Sequence, residues 1–173
     1  FAVNGEVLAP FDGTAYGMIL HSNGNILVTG VTYNVNGGNL LILAYNQDGT
    51  PNTNFGQDGV FLIYPETSAL GYNLIEQSDG KVIACGQSGE LFSTPPQAFF
   101  SVRIDENGLL DPSWGGIGHV TTENGWMAWA HGSSDALNRA ISHASSQATN
   151  ASGSAGKRAS SPTAASHLRS MAS

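Results

Sequence analysis

The chain has 173 residues with a formal net charge of −7, and only 11% of its residues are charged, against about 25% in typical soluble domains. An acidic chain lacks the basic surface that binds nucleic acid, and no stretch approaches the roughly 20 apolar residues of a membrane helix. The single cysteine, Cys85, excludes an intrachain disulfide. Abundant glycine with few charges is typical of all-β proteins with many tight turns.

The first predicted strands form a hairpin. Thr14–Leu20 is mostly apolar, and Asn25–Thr32 is β-branched and apolar. Between them lies Asn23-Gly24, the strongest short hairpin signal, because both central residues of a type I′ turn need a positive φ. The sequence therefore predicts an antiparallel pair closed by a type I′ turn.

Two further strands complete a first unit. Asn34–Asn39 is predicted as a loop, and the apolar run Leu40–Tyr45 has the length of a buried strand. A turn at 47–52 leads to a fourth predicted strand, Gly59–Tyr64. The first unit is thus four short antiparallel strands over about 14–64.

The same order of elements then returns along the chain. The phrase ILHSNGNILVTG at 19–30 returns as IEQSDGKVIACG at 75–86, and the phrase at 45–60 returns at 104–119. A repeat of this period indicates one supersecondary unit used more than once. The predicted strands of the second unit, which spans about 69–122, are 69–76, 81–87, 98–104 and 118–122.

Four-stranded units of this size are typical of propeller blades. We therefore predict an all-β, β-propeller-like fold of tandem antiparallel units, with a β-sandwich and a stacked β-solenoid as alternatives. Phe1-x-x-x-Gly5 repeats the spacing of Phe55-x-x-x-Gly59, which predicts a partial unit at the start of the chain. A chain that opens in mid-pattern is expected to be a processed product or a fragment.

A partial third unit and a different tail are expected at the other end. Trp126 falls where the repeat places Tyr72, so the repeat region is predicted to span 1–131. Residues 132–173 are rich in Ser and Ala and are expected to form a linker, a disordered tail or an assembly arm. Within them, Asp135–Gln147 can form a short helix.

Two segments resemble the delta-60 repeat, which is found in tandem in large secreted and surface proteins of bacteria. Ser78–Gly86 is similar to its element DGK-I-x-V-x-G, and Phe100–Gly115 to its element F-x-x-x-R-Y-x-x-DGS-LD-x-SFG. The resemblance covers residues 1–125, with departures at Asn23-Gly24-Asn25 and at Ala44, where the family has Asp-Gly-Lys and Arg. It implies a β-propeller-like fold, an extracellular or cell-surface setting and no catalytic activity.

Acidic turns are one class of candidate site. Asp105, Asn107 and Asp111 place three oxygen-bearing side chains around Gly108. Hard oxygen ligands on a tight loop suit calcium, the one cofactor that the sequence suggests. The alternative is a turn whose side chains satisfy its own backbone, because Arg103 stands where a preceding acidic ligand is expected.

Recurring aromatic residues are the second class. Tyr16, Tyr72 and Trp126 fall at equivalent positions of the repeat, and Trp114 is equivalent to Phe55. Aromatic residues between blades either pack the units together or stack on sugars, as in small propeller lectins. The candidate sugar-binding residues are therefore Tyr16, Tyr72, Trp114 and Trp126.

The chain shows no pattern for catalysis, since its histidines lack metal-ligand spacing and no G-x-S-x-G elbow is present. Two units cannot close a ring, because propellers usually need about four to eight blades. We therefore expect a non-enzymatic structural or adhesive protein, secreted or on a bacterial cell surface. It would assemble into rings or filaments with copies of itself or with further repeats of a longer chain. The alternative is a carbohydrate-binding propeller lectin.

Overall fold

A computed structural model describes residues 2, 4–34, 37–64, 68–89 and 98–122 of the chain. They form two four-stranded antiparallel sheets, each with its strands in chain order, and contain no helix. We call the first sheet unit 1 and the second unit 2. Unit 1 comprises β1 (Gly13–Leu20), β2 (Ile26–Asn34), β3 (Gly37–Tyr45) and β4 (Val60–Ile63). Unit 2 comprises β5 (Ala69–Glu76), β6 (Val82–Ser88), β7 (Ala98–Ile104) and β8 (His119–Thr122).

The all-β fold of two tandem four-stranded units is confirmed. Strands β5 and β7 have the bounds that the sequence predicts. The predicted loop Asn34–Asn39 is wrong, because β2 runs on to Asn34 and β3 begins at Gly37. Pairing of Thr32–Asn34 with Gly37–Asn39 extends the hairpin there, and cross-strand pairing outweighs the low strand propensity of Gly and Asn. The predicted third unit, the tail 132–173 and its helix lie outside the described residues.

The predicted type I′ turn at Asn23-Gly24 is also wrong. Gly24 has a φ of 91°, whereas Asn23 keeps a negative φ. The Gly24 N–H donates to the His21 carbonyl, which makes a type I turn followed by a left-handed glycine. Asn23 uses its Oδ1 to accept the Asn25 N–H, so it acts as an Asx turn. The hairpin turns that end at Gly49, Gly80 and Gly108 have the same bond between the glycine N–H and the carbonyl three residues earlier.

The main core lies between the two sheets. It is a single cluster of buried side chains, to which β2 and β3 contribute Leu27, Leu40 and Ile42 and β6 and β7 contribute Val82 and Val102. Strand β5 packs across β1, β2 and β3 of unit 1. The core therefore holds the two units together as well as stabilising each one.

Strands β1 and β5 share a register irregularity that lets the units approach. The register shifts between Ala15 and Gly17 in β1 and at the equivalent place after Gly71 in β5. A Cβ atom at Gly17 would lie 2.7 Å from the Tyr72 carbonyl oxygen, and one at Gly71 would collide with the Thr29 side chain. Glycine at both positions is thus a condition for the packing of β5 on unit 1.

Candidate functional site

The seam between the two units is the most extended candidate site. His21 is buried there, with Nε2 2.9 Å from the Gly80 carbonyl oxygen. Because His21 Nδ1 accepts the Asn23 N–H, Nε2 carries the proton and donates it to Gly80. The Ser22 N–H donates to Glu76 at 2.9 Å, and the bonds from Ser22 lower the pKa of the Glu76 carboxyl. The first hairpins of the two units are therefore hydrogen-bonded to each other.

A second contact joins the loop after β3 in unit 1 to the second hairpin of unit 2. The Gly56 N–H donates to the Asn107 carbonyl at 2.7 Å. A Cβ atom at Gly108 would lie 2.9 Å from the ring of Phe55, which is buried. Phe55 thus packs directly under the turn of the next unit, and only glycine leaves it room.

The same contact recurs on the other side of unit 1. The Ala2 N–H donates to the Asp48 carbonyl at 2.6 Å. Gly49 faces Ala2 and Val7, as Gly108 faces Phe55 and Gly56. Ala2 and Gly56 are equivalent in the repeat, as are Asp48 and Asn107. We call residues 2 and 4–8 the N-terminal segment; it occupies on unit 1 the place that the loop after Phe55 occupies on unit 2.

The side of unit 1 that faces away from unit 2 differs sharply from its counterpart. We call this side the outer face; it contains Met18, Leu20, Ile26, Val28, Leu41 and Leu43. Strand β5 is buried along most of its length, whereas the equivalent β1 is mostly exposed. Met18 is 68% exposed and its equivalent Leu74 is 3% exposed.

The N-terminal segment covers only part of the outer face. Leu41 and Leu43 are buried in a cluster that Val7 packs against, while Met18 and Leu20 remain exposed. A cavity of about 180 Å³ borders the covered part, and its lining includes Ala9, Phe11, Ala15, Val28 and Leu41. The outer face is therefore apolar and half open.

Three tyrosines meet where the two units join. The Tyr16 ring stands edge-on to Tyr72, with centroids 5.1 Å apart. Burial, followed by the neighbouring Tyr16, raises the pKa of Tyr33. Tyr72 is buried with Val31 and Leu70, while Tyr16 and Tyr33 are 42% and 49% exposed. Burial, followed by the neighbouring Tyr16 and Tyr33, raises the pKa of Tyr72 to about 12. We call Tyr16, Tyr33 and Tyr72 the tyrosine cluster; it presents two exposed rings on one buried ring.

The structure brings together only two of the four residues predicted to bind sugar. Tyr16 and Tyr72 are in contact, but Trp114 is 5% exposed and belongs to a separate cluster with Ile83 and Cys85. Trp126 lies outside the described residues. The sequence did not predict Tyr33 as a site residue. Gly89 occupies the equivalent position of unit 2, so Tyr33 is not a recurring aromatic residue of the repeat. Alternation along β2, which places Tyr33 on the same face as Val31, could have indicated it.

The predicted calcium residue Asp111 binds two cations of its own unit. Its Oδ2 lies 2.9 Å from Lys81 Nζ and 2.8 Å from Arg103 Nε. Its Oδ1 accepts both the N–H and the Oγ–H of Ser113. Lys81 first, then Ser113 and Arg103, hold the pKa of Asp111 well below its usual range. The Arg103 guanidinium lies 4.8 Å from the Trp114 ring centroid, a cation–π contact.

The other two predicted calcium residues serve the turn itself. Asp105 Oδ1 accepts the N–H groups of Asn107 and Leu109, and the Asn107 carbonyl accepts from Gly56. The described residues contain no group of three His, Cys, Asp or Glu side chains suited to a metal. Calcium at this turn stays a prediction, and a cation there would compete with Lys81 and Arg103 for Asp111.

Comparison with known proteins assigns a fold to part of unit 1. A family model described as "Domain of unknown function (DUF5122) beta-propeller" matches residues 21–55. The matched segment runs from His21 through β2 and β3 to Phe55, so it includes residues of both seam contacts. No curated protein matched the chain. The match supports the β-propeller repeat that the two sheets show.

Membrane spans were sought among the same described residues. None of their segments forms a helix long and apolar enough to cross a membrane.

Proposed function

We propose that this chain is a non-enzymatic structural or adhesive protein that acts by assembling with copies of itself. One observation carries the proposal: β5 is buried and β1 is exposed, although the two strands are equivalent and share the same bulge. Unit 2 has a complete unit packed in front of it, whereas among the described residues unit 1 has only the N-terminal segment there. The exposed half of the outer face is therefore the surface that a further unit would cover.

The partner that fits this surface is unit 2 of a second copy. Unit 1 packs against unit 2 with one side of its sheet. The equivalent side of unit 2 has the half-buried apolar residues Ile75, Phe99 and Val120 around buried Ile83 and Cys85. These rim residues would contact Met18 and Leu20, as unit 1 contacts Leu74 within one chain. Burying Met18 and Leu20 would contribute about 1.5–3 kcal/mol for each side chain.

Such a contact is head-to-tail, since it joins two different surfaces. A head-to-tail contact closes into a ring when its rotation allows and otherwise continues as a filament. Two to four copies would supply the roughly four to eight units of an ordinary propeller ring.

The extracellular setting is proposed from sequence. Ser78–Gly86 and Phe100–Gly115 resemble the delta-60 repeat of secreted and surface proteins, and the family match over 21–55 supports a propeller repeat. A non-enzymatic role is consistent with the structural role of the charged cluster around Asp111. Its members Lys81, Arg103 and Asp111 bind one another and hold a turn in place.

Sedimentation velocity over a range of protein concentrations tests the assembly. The wild-type chain should form species heavier than 18.0 kDa, and Met18→Lys should weaken association at least tenfold because it places a charge in the contact. Leu109→Lys is the matched control, since it adds the same charge at an exposed apolar residue on a turn away from the outer face. A wild-type mass that stays at 18.0 kDa at every concentration contradicts the proposal.

A second candidate function is carbohydrate binding at the tyrosine cluster. The observation that favours it is the pair of neighbouring exposed rings, Tyr16 and Tyr33, beside buried Tyr72, which Tyr16 contacts edge-on. Rigid exposed aromatic rings with hydroxyl groups at hand suit a sugar, whose apolar face stacks on a ring while its hydroxyls form hydrogen bonds.

A glycan array tests this second function. The wild-type chain should bind a subset of glycans, and Tyr16→Ala should lose that binding. Tyr64→Ala, at an exposed tyrosine that follows β4, should retain it. A wild-type chain that binds no glycan, or loses no binding on Tyr16→Ala, would rule out this site.

A further inference from the structure

Three equivalent positions of the repeat share one unusual backbone conformation. Ala2, Gly56 and Gly115 have φ angles of 38°, 55° and 64°. Three positions further on, Gly5, Gly59 and Gly118 also have positive φ angles, of 81°, 91° and 90°. The chain therefore contains three versions of one loop.

Two of the three loops are bound to a hairpin turn. Ala2 donates to the Asp48 carbonyl, and Gly56 donates to the Asn107 carbonyl. For the Gly115 N–H, the described residues provide no acceptor, and Gly115, Gly116 and Ile117 are exposed. The third loop thus has the donor and the backbone conformation of the other two, without their partner.

The N-terminal segment has an alanine at a position where the other two loops have glycine. Alanine at a positive φ carries a steric cost of about 1–2 kcal/mol that glycine avoids. Ala2 has this cost at the position where Gly56 and Gly115 do not. Of the two loops that are bound to a turn, the N-terminal segment is therefore the more weakly held.

We infer that the N-terminal segment is a displaceable latch, which the loop Trp114–Gly118 of a second copy replaces on the turn at Asp48-Gly49. The inference rests on the proposed function, because the replacing loop comes with the assembling copy. The Asp48 carbonyl accepts one backbone N–H before the exchange and one after it, so no acceptor is left unpaired. Release of the segment also removes Val7 from Leu41 and Leu43, which opens the rest of the outer face.

Substitutions at Ala2 shift the latch in opposite directions. Ala2→Gly removes the steric cost and strengthens the latch, so self-association of the full chain should weaken about tenfold. Ala2→Pro removes the N–H and cannot adopt a positive φ, so self-association should strengthen. Leu8→Ser changes an almost fully exposed residue of the same segment and should leave self-association unchanged.

Association constants from sedimentation of the four chains separate the inference from the proposed function. If the wild type associates, and Ala2→Gly and Ala2→Pro have the same association constant as the wild type, the latch is wrong and the assembly proposal stands. If the wild type is monomeric and Ala2→Pro associates, the latch is supported and assembly of the wild-type chain is wrong. If no chain associates, both ideas are wrong.

Discussion

At the scale of single residues, Asp111 organises one end of unit 2. Its carboxylate contacts Lys81, just before β6, Arg103 of β7 and Ser113 of the loop after β7. The Arg103 guanidinium in turn packs on the Trp114 ring. The equivalent positions of unit 1 are uncharged: Asn25, Ala44, Asn52 and Asn54. There the Asn52 side chain accepts the Asn54 N–H. The charged cluster is thus specific to unit 2 and is not needed to form the turn.

The lowered pKa of Asp111 predicts a pH dependence of stability. A carboxyl whose pKa is lower in the folded chain stabilises it above the unfolded pKa of about 3.9, and this stabilisation is lost as the pH falls through the folded pKa. Asp111→Asn should therefore be less stable than wild type at pH 7, and the difference should shrink steadily below about pH 4. Urea unfolding at a series of pH values measures it.

Asp79→Asn is the control for this prediction. Asp79 lies 3.8 Å from the same Lys81 but is largely exposed, so its substitution should change stability little at any pH. A constant difference between Asp111→Asn and wild type from pH 7 to pH 2 would show that the carboxylate charge is not what stabilises this turn.

At the scale of elements, the four hairpin turns are one structure used four times. In each, a glycine in the left-handed region donates its N–H to the carbonyl three residues earlier. At Gly80 the need for a positive φ can be tested without steric clashes, because its φ is 80° and a Cβ atom there would meet nothing within 4 Å. Any effect of adding a side chain at Gly80 is therefore an effect of backbone conformation.

Gly80→Ala should lower the free energy of unfolding by about 1–2 kcal/mol, the cost of an alanine in the left-handed region. Gly80→Asn should cost less than half as much, because asparagine tolerates that region. Chemical denaturation of the two variants beside wild type measures the difference. Equal costs for Ala and Asn would mean that the turn does not need a positive φ at this position.

The elements were predictable where the repeat and the apolar pattern agreed, as in β5 and β7. The turn type was not predictable, because Asn23 keeps a negative φ and its side chain accepts the Asn25 N–H. The extra length of β2 and β3 depends on pairing between residues of low strand propensity, which a single segment does not reveal. The spacing of oxygen-bearing residues suggested a calcium site at Asp111. The ion pairs of Asp111 with Lys81 and Arg103 could not be predicted, because they depend on the strand register that sets Ile83 opposite Arg103.

At the scale of the whole molecule, the seam between units is the feature that the chain repeats. Hairpin meets hairpin at His21 and Gly80, and loop meets turn at Gly56 and Asn107. The outer face of unit 1 has the apolar residues for such a seam, but in the described part of the chain only the N-terminal segment packs against it. The central claim is that a second copy completes this seam in the register seen within one chain.

Directed disulfide formation between two copies tests that register most directly. Within the chain, a Cβ atom at Gly71 would lie 3.0 Å from Leu40 Cγ, and Ala15 and Phe99 are the equivalents of Gly71 and Leu40. Ala15→Cys and Phe99→Cys are prepared as separate chains, each with Cys85→Ala so that no other thiol is present. The account predicts that mixing them under a mild thiol oxidant yields a linked pair of twice 18.0 kDa, in larger amount than either chain alone. Two folded variants that yield no linked pair beyond those controls would contradict it.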